Sequence, residues 1–465
     1  MKTIDLTFEP LDEPMNHPAT DRDSAELTLS LIADLVELQS FREKWNDLVM
    51  ASSASIYQTN QWAECWWKHF GNRKGQTLHC LTALHEDKIV GLLPLYKEQI
   101  SSWGSIVRTR LGFIGEGDAY HTSSGVFFDN GPSDYLDIIV LPGFETPVCR
   151  LFIDYLLEQK LQIDSIDFVN VPEMSILKTH FVPEFQRHGV LCQTRQADIC
   201  PYLILPESLE KYFQSLSASV RRRLNQAQRA STEESLYTIK KSTTLKECED
   251  VLDLIITLHQ QRWNRLGFPG LFADKRFTAF QFDILRLFHE KGWLWCKAAN
   301  TNDACIAARL AFQFGNRFYD YLSGFDDSAV AAKRRPGLAL LLSMIQDGMT
   351  QQYTIVDFLR GDEQYKFELT EQSRYNWNVT IHLTARKSNS LRSKLSDKIR
   401  FGIFLAKREG ILFGVQFRQY GFPRCIIHYI QFRTPRLRRK MLSMFSHPDK
   451  HANDKGHEQS SNVNS

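Results

Sequence analysis

The nine cysteines of this 465-residue chain never fall into a CxxC pair. They stand singly at 65, 80, 149, 192, 200, 248, 296, 305 and 425, which argues against a zinc ribbon or a thiol–disulfide motif. An odd, scattered set suits reduced thiols in a cytoplasm. No window approaches the ~20 unbroken apolar residues of a membrane-spanning helix. The first 24 residues are polar, acidic and proline-bearing, without the basic start and apolar centre of a secretory leader. A GxSxG elbow and a Cys–His nucleophile pattern are absent, and Gly115 with Gly117 is too short for a dinucleotide fingerprint. His79, His85 and His121 lack partners at metal-ligand spacing, so neither a metal nor a permanently bound cofactor is expected.

What is present is ordinary globular material: 43% hydrophobic and 24% charged residues. At roughly 100–200 residues per domain, two or three domains are expected. The net charge of +2 hides an asymmetry. From Arg386 onward 17 Lys and Arg face 5 Asp and Glu, whereas the rest of the chain carries 39 against 49. An acidic body with a basic tail is a clue to partners, not to fold.

Apolar patterning divides the chain further. Residues 1–24 read as a disordered arm, 25–200 and 201–385 as two mixed α+β units, 386–446 as a basic, partly helical tail, and 447–465 as disordered. In the first unit QWAECWWKHF predicts a helix with Trp62, Trp66 and Trp67 on one side, and Glu86-Asp87 joins two apolar runs as a hairpin. In the second, helices are predicted at 206–230, over CEDVLDLIITLHQQRWNRLG with Val251, Leu254, Ile255 and Leu258 inward, and over GLALLLSMIQDGM. Three strands are predicted between Trp293 and Asp326, and a buried one at YTIVDFL. Trp45-Asn46-Asp47-Leu48 echoes Trp263-Asn264-Arg265-Leu266 at an offset of 218. That echo fits either chance likeness or a tandem duplication.

Two segments carry the candidate chemistry. In YDYLSGFDDSAVAAKRRPGLALL (319–341) an aromatic strand leads through a basic cluster into a helix opened by Pro336 and Gly337. A helix N-terminus presents unpaired N–H groups and partial positive charge, and proline in its first turn loses no hydrogen bond. Gly337 would let a phosphate approach, with Lys333, Arg334 and Arg335 beside it. A basic loop capping an ordinary helix is the plainer alternative. In the second segment, DFLRGDEQYKF (357–367), an apolar strand ends in a turn that gathers Arg360, Asp362, Glu363, Tyr365 and Lys366. A solvated turn with local ion pairs is the alternative there.

These segments resemble a known family. RRPGLA at 334–339 fits the [QR]-x-x-G-x-[GA] pyrophosphate loop of GNAT acyltransferases. YDYLSGFD, RRPGLALL and DFLRGDEQYK together resemble the C-terminal half of GNAT-related acyltransferases found with cellulose and exopolysaccharide synthesis, which are related in fold to Fem-type aminoacyl transferases. The Trp-rich helix, GLLPLY and SDYLD fit the N-terminal half, so the resemblance spans about residues 30–385.

The resemblance implies an α+β fold of tandem GNAT-like domains, with acyl-CoA (acetyl-CoA) as cosubstrate. Its phosphates would lie on Arg334, Arg335, Gly337 and Ala339, and its thioester along Tyr321, Leu322 and Gly324. Asp362, Tyr365 and Lys366 match the family's Gly-Asp-x-x-Tyr-Lys motif, and Asp134 with Tyr135 its Asp-Tyr segment. In the catalytic reading, Asp362 or Asp134 would take the amine proton, Tyr365 or Tyr321 would protonate the thiolate, and Lys366 would orient the acceptor. Tyr135, Arg360 and Asp326 are the candidate acceptor contacts. The expected acceptor is an amine-bearing small molecule or saccharide, such as an amino sugar or polysaccharide precursor.

Two rival readings remain. One is a Fem-type transfer from aminoacyl-tRNA, for which Arg221, Arg222, Arg223 and Arg229 would form a nucleic-acid face; a solvated basic face is the plainer reading. The other is a non-catalytic scaffold for a polysaccharide synthase. The tail, with LRSKLSDKIRFGIFLAKREG and RTPRLRRKMLSMF, is expected either to hold the protein at an anionic membrane's inner face or to pack as a helix on the body.

Overall fold

The structure is a computed structural model that describes residues 26–102, 105–117, 131–232, 236–265, 269–302, 304–326 and 335–383. The arm, Arg334, His121 and the basic tail lie outside the described residues. Among the described residues no helix is long and apolar enough to cross a membrane.

The strands, in chain order, are β1 Thr28–Ile32, β2 Gln76–Leu78, β3 Cys80–His85, β4 Lys88–Leu93, β5 Leu95–Ser102, β6 Ser105–Phe113, β7 Ile139–Val140 and β8 Ser165–Pro172. They continue as β9 Leu191–Ile204, β10 Thr238–Lys241, β11 Leu294–Asn300, β12 Cys305–Phe314, β13 Arg317–Phe325, β14 Ile355–Asp357 and β15 Ser373–His382. A small sheet runs β1-β3-β4-β7. A large one runs β10-β11-β12-β13-β14-β9-β15-β8-β6-β5-β2. The fold is mixed α+β, as expected.

Local chemistry explains much of this. Glu86 and Asp87 both take positive φ, 47° and 63°, the two-residue turn whose twist matches a hairpin. In the second half β12 is buried along nearly its whole length because helices cover both sheet faces. Leu310, Phe312 and Phe314 pack with helices Leu245–Arg265 and Lys275–Glu290, whereas Ala307 and Ala311 face helix Pro336–Thr350. The inward residues of Leu245–Arg265 are Val251, Leu252, Ile255 and Leu258; Leu254 is only half-buried.

Two elements fasten the halves together. Helix Asn60–His69 is buried on all sides from Asn60 to Trp67 and reaches solvent only in its last turn, at Lys68. Trp62 packs against Phe280, Phe288, Phe312 and Tyr321 of the second half, with centroids 5.0–6.0 Å apart. Trp66 and Trp67 instead pack on Tyr96. The other fastener is the long antiparallel pair β9 and β15. β15 hydrogen-bonds β8 on its far side, and β9 meets β14 at Ile204↔Ile355. β9 runs through residues 200 and 201, so one continuous sheet serves both halves.

Candidate active site

β13 and β14 run parallel through Arg317↔Ile355, Phe318↔Val356 and Tyr319↔Asp357, and then part. β14 ends there, while β13 continues to Phe325. A bulge opposite Leu310 and Ala311 leaves Tyr321 without a cross-strand partner on β12 and re-aims the side chains around it. A cavity of about 980 Å³ occupies the gap. Its lining comes from both sheet faces: His259, Trp263 and Phe277 on one, Val220, Arg223 and Leu341 on the other. The cavity therefore passes through the sheet where the two strands diverge.

The first half contributes Asp134 to this cavity. The strand-less segment that carries it is tied down on every side. Trp62 Nε1 donates to Ser133 Oγ at 2.8 Å, Asn170 Nδ2 to Ser133 O at 2.9 Å, and Asn376 Nδ2 to Asp134 O at 2.6 Å. Ser55 Oγ donates to Tyr135 O at 2.9 Å. Asp134 is only 4% exposed, and its carboxylate Oδ1 meets Arg360 Nε at 3.2 Å. Burial pushes its pKa above the ordinary carboxylate value, and Arg360 pulls the other way. Such a carboxylate is suited to accept a proton.

Arg360 also donates to the carbonyls of Ser133 (3.2 Å) and Gly131. Tyr135, one residue past Asp134, points away from the cavity. Its hydroxyl donates to Asp357 Oδ1 at 2.8 Å, and Arg374 lies over its ring. Asp357 is fully buried and also takes Arg374 on Oδ2.

On the other sheet face Arg309 and Asp320 form a buried ion pair in the cavity wall. Tyr365 lies in the same wall, and burial of its hydroxyl beside Asp320 raises its pKa above the usual tyrosine value, although Tyr365 as a residue is 40% exposed. Tyr321 receives a hydrogen bond from Gln281 Nε2 at 2.8 Å, and burial likewise keeps its hydroxyl protonated. Both tyrosines can donate a proton but not take one.

At the cavity rim helix Pro336–Thr350 starts with proline at its first position, as the sequence predicts. Arg335 before it is left-handed, φ 51°. Gly337 faces the cavity, and a Cβ there would only touch Phe325 at an ordinary 3.8 Å. Protein packing therefore does not demand this glycine. Arg262 reaches the same rim, its guanidinium 4.7 Å from the Phe325 ring centre. Two arginines thus stand at a helix N-terminus beside open space, an arrangement suited to an anion.

The cavity brings together Asp134, Tyr321, Leu322, Asp326, Arg335, Gly337, Arg360, Tyr365 and Lys366 of the expected residues. Asp362 is exposed and does not line it. Ala339 is buried under the helix with Ala227 and Ala230. Gly324 faces helix Leu245–Arg265, where a Cβ would come within 2.9 Å of Ile255 O. Sequence reasoning missed Arg309, Asp320, Arg262 and His259, and read Arg223 only as part of a basic face. In the structure Arg223 pairs with Glu368 at 2.7 Å in the cavity wall. Arg309 within the apolar stretch CIAARLAF of β12 was the one local signal available.

Residues 218–367 match the family model described as Acetyltransferase (GNAT) domain. Among solved structures the chain is similar to FemX, with TM-score 0.50 and 11% identity over 72% of this chain and 95% of that one. It is also similar to L-PGS from Bacillus licheniformis (TM-score 0.43, 10% identity, 77% and 95% covered). A third likeness is a tandem GNAT protein from the clavulanic acid biosynthesis pathway (0.40, 11%, 77% and 100%). No curated protein matches the chain at a significant level. By the domain match, the second half has the GNAT fold, the class of acyl-transferring domains.

Proposed function

We propose that the chain is an N-acyltransferase that moves an acyl group from acyl-CoA to an amine held in the cavity. The observation that carries this reading is the passage through the sheet between β13 and β14, which gives each of two substrates its own face to enter by. The anionic end of the thioester lies at Arg335, Gly337 and Arg262. Its acyl arm follows the unpaired edge of β13 from Tyr321 to Gly324, whose backbone N–H groups polarise the thioester carbonyl. The amine nitrogen attacks the carbonyl carbon, the C–N bond forms and the C–S bond breaks. Asp134 takes the amine proton, directly or through one water, and Tyr365 gives a proton to the leaving thiolate. Holding both substrates in one cavity supplies much of the acceleration.

The acceptor class follows from the resemblance of the 319–367 motifs to transferases of polysaccharide synthesis: an amino sugar or a precursor bearing one. The two units, 25–200 and 201–385, act as a base-supplying half and a thioester-binding half.

A thermal-shift titration with CoA, acetyl-CoA and longer acyl-CoAs tests the reading. A ligand at 100 times its Kd stabilises by about 2.7 kcal/mol, so a clear rise in melting temperature is expected. Absence of any shift, together with an RNase-sensitive transfer from aminoacyl-tRNA, would sink it in favour of a Fem-type reaction.

A further inference from the structure

The Gly361-Asp362-x-x-Tyr365-Lys366 pattern contains a lysine that touches no substrate in the reading above. Lys366 is 4% exposed although charged. Its Nζ donates to Arg360 O at 2.8 Å and Leu359 O at 3.4 Å, and meets Glu363 Oε2 at 2.9 Å. An ammonium has three protons, so all are engaged within the protein.

The carbonyls it holds belong to a turn in an unfavourable conformation. Leu359 is left-handed, φ 59°, which a non-glycine residue keeps only when its surroundings enforce it. Its N–H donates to Asp357 Oδ1 at 2.9 Å. Gly361, at φ 132°, donates its N–H to Ile199 O at 2.9 Å. A Cβ on Gly361 would sit 2.9 Å from Lys366 Nζ, so the glycine leaves room for the ammonium. Between these anchors stands Arg360, whose backbone N–H (3.3 Å) and Nε (3.2 Å) both meet Asp134 Oδ1.

We propose that Lys366 is a positioning residue: it pins the Leu359–Gly361 turn so that Arg360 meets Asp134, and thereby sets the pH range in which Asp134 accepts a proton. The inference rests on Asp134 as the base. The groups that reach Asp134 are Arg360 on the turn, Asp357 at the end of β14, Lys366 in the short helix Gln364–Leu369, Tyr57 and Tyr135 from the first half, Tyr321 on β13, and Cys200 on β9. Arg360 is the cation in direct contact. When the turn loosens, its pull weakens while burial persists, so the carboxyl ionises only at higher pH.

The test compares Lys366→Met, and Lys366→Gln as the milder variant should the first fail to fold. Two measurements are made on the full chain: kcat/KM against pH with acetyl-CoA and an amine acceptor, and amide hydrogen exchange over 358–363. Expected are an acid limb moved up by about one pH unit, so that kcat/KM at a fixed pH on that limb falls about tenfold, and an unchanged KM for acetyl-CoA. Exchange at Leu359 and Arg360 speeds up at least about tenfold while β12 stays protected. An acid limb that stays in place, or activity lost equally at every pH, overturns the proposal. Asp134→Asn is run in parallel. Full activity there defeats the base reading and the pH-setting role with it, and the exchange result then judges the anchoring separately.

Discussion

Arg110 in the first half and Arg360 in the second each hold a carboxylate out of water. Arg110 meets Glu98 at 2.8 Å, Glu116 at 2.7 Å and the Tyr96 hydroxyl at 2.6 Å, and Gln76 closes the remaining side of Glu98. Glu116 keeps one buried oxygen without a partner, and burial pushes its pKa up to about 7. Arg360 holds Asp134 in much the same way, but both side chains border the cavity. The first cluster joins β5 and β6 to the loop after them; the second presents a carboxylate to open space. A buried charge pair therefore does not mark a site by itself. Access to a cavity large enough for a substrate separates the two.

The comparison can be broken at the cavity side first. Asp134→Asn should lower kcat/KM by about 10²–10⁴, the range for losing a general base, with the melting temperature within a few degrees of wild type. Steady-state kinetics and calorimetry together check this. A rate loss below threefold would reduce Asp134 to the status of Glu116, a structural carboxylate.

Trp62→Ala strikes what the two regions share. Removing a fully buried Trp costs about 3–5 kcal/mol, and this ring packs on four aromatic residues of the opposite half. Urea denaturation should report a loss of that size. A loss under about 1 kcal/mol would mean that the halves hold together without it.

Glu116→Gln sharpens the sealed side. The folded carboxyl has a pKa of about 7 against an ordinary 4.5, so the folded state binds the proton more tightly. Wild-type stability must then fall, relative to the Gln variant, as pH rises from about 4.5 to about 7, and level off above that. The full difference is at most about 3 kcal/mol. His79 and His259, both lowered to about 4 by burial, give the opposite slope and are common to the two proteins. Melting curves of both proteins between pH 4.5 and 8 read the effect; parallel curves would refute it.

The smallest expected change is at the rim. Arg335→Ala should raise the KM for acyl-CoA about five- to tenfold, the loss of one charge-assisted contact of about 1–1.5 kcal/mol. The same substitution should leave kcat close to wild type. An unchanged KM would place the phosphates elsewhere.

The sequence carried some of this plainly. Pro336-Gly337 marked a helix start because ring closure fixes φ and the missing N–H has no role there. The strands of β11 to β13 announced themselves by apolar runs between polar turns. β9 and β15 did not. QTRQAD and SRYNWN leave many side chains exposed or half-buried, so no two-residue apolar rhythm appears, and their pairing with each other is what makes them strands. Gly324 and Gly337 looked alike in one dimension. Packing assigns the first to a helix contact and leaves the second facing the cavity.

Sequence alone determined which segments are extended in β11 to β13, that a helix starts at Pro336, and that a charged turn follows the apolar strand at 355–357, because these depend on residues a few positions apart. Only the tertiary structure decided that Asp134 joins Arg360 across 226 positions of chain, and that Lys366 turns back to its own turn. Those pairings depend on where a sheet built from both halves brings its strands together. No local pattern records that distance.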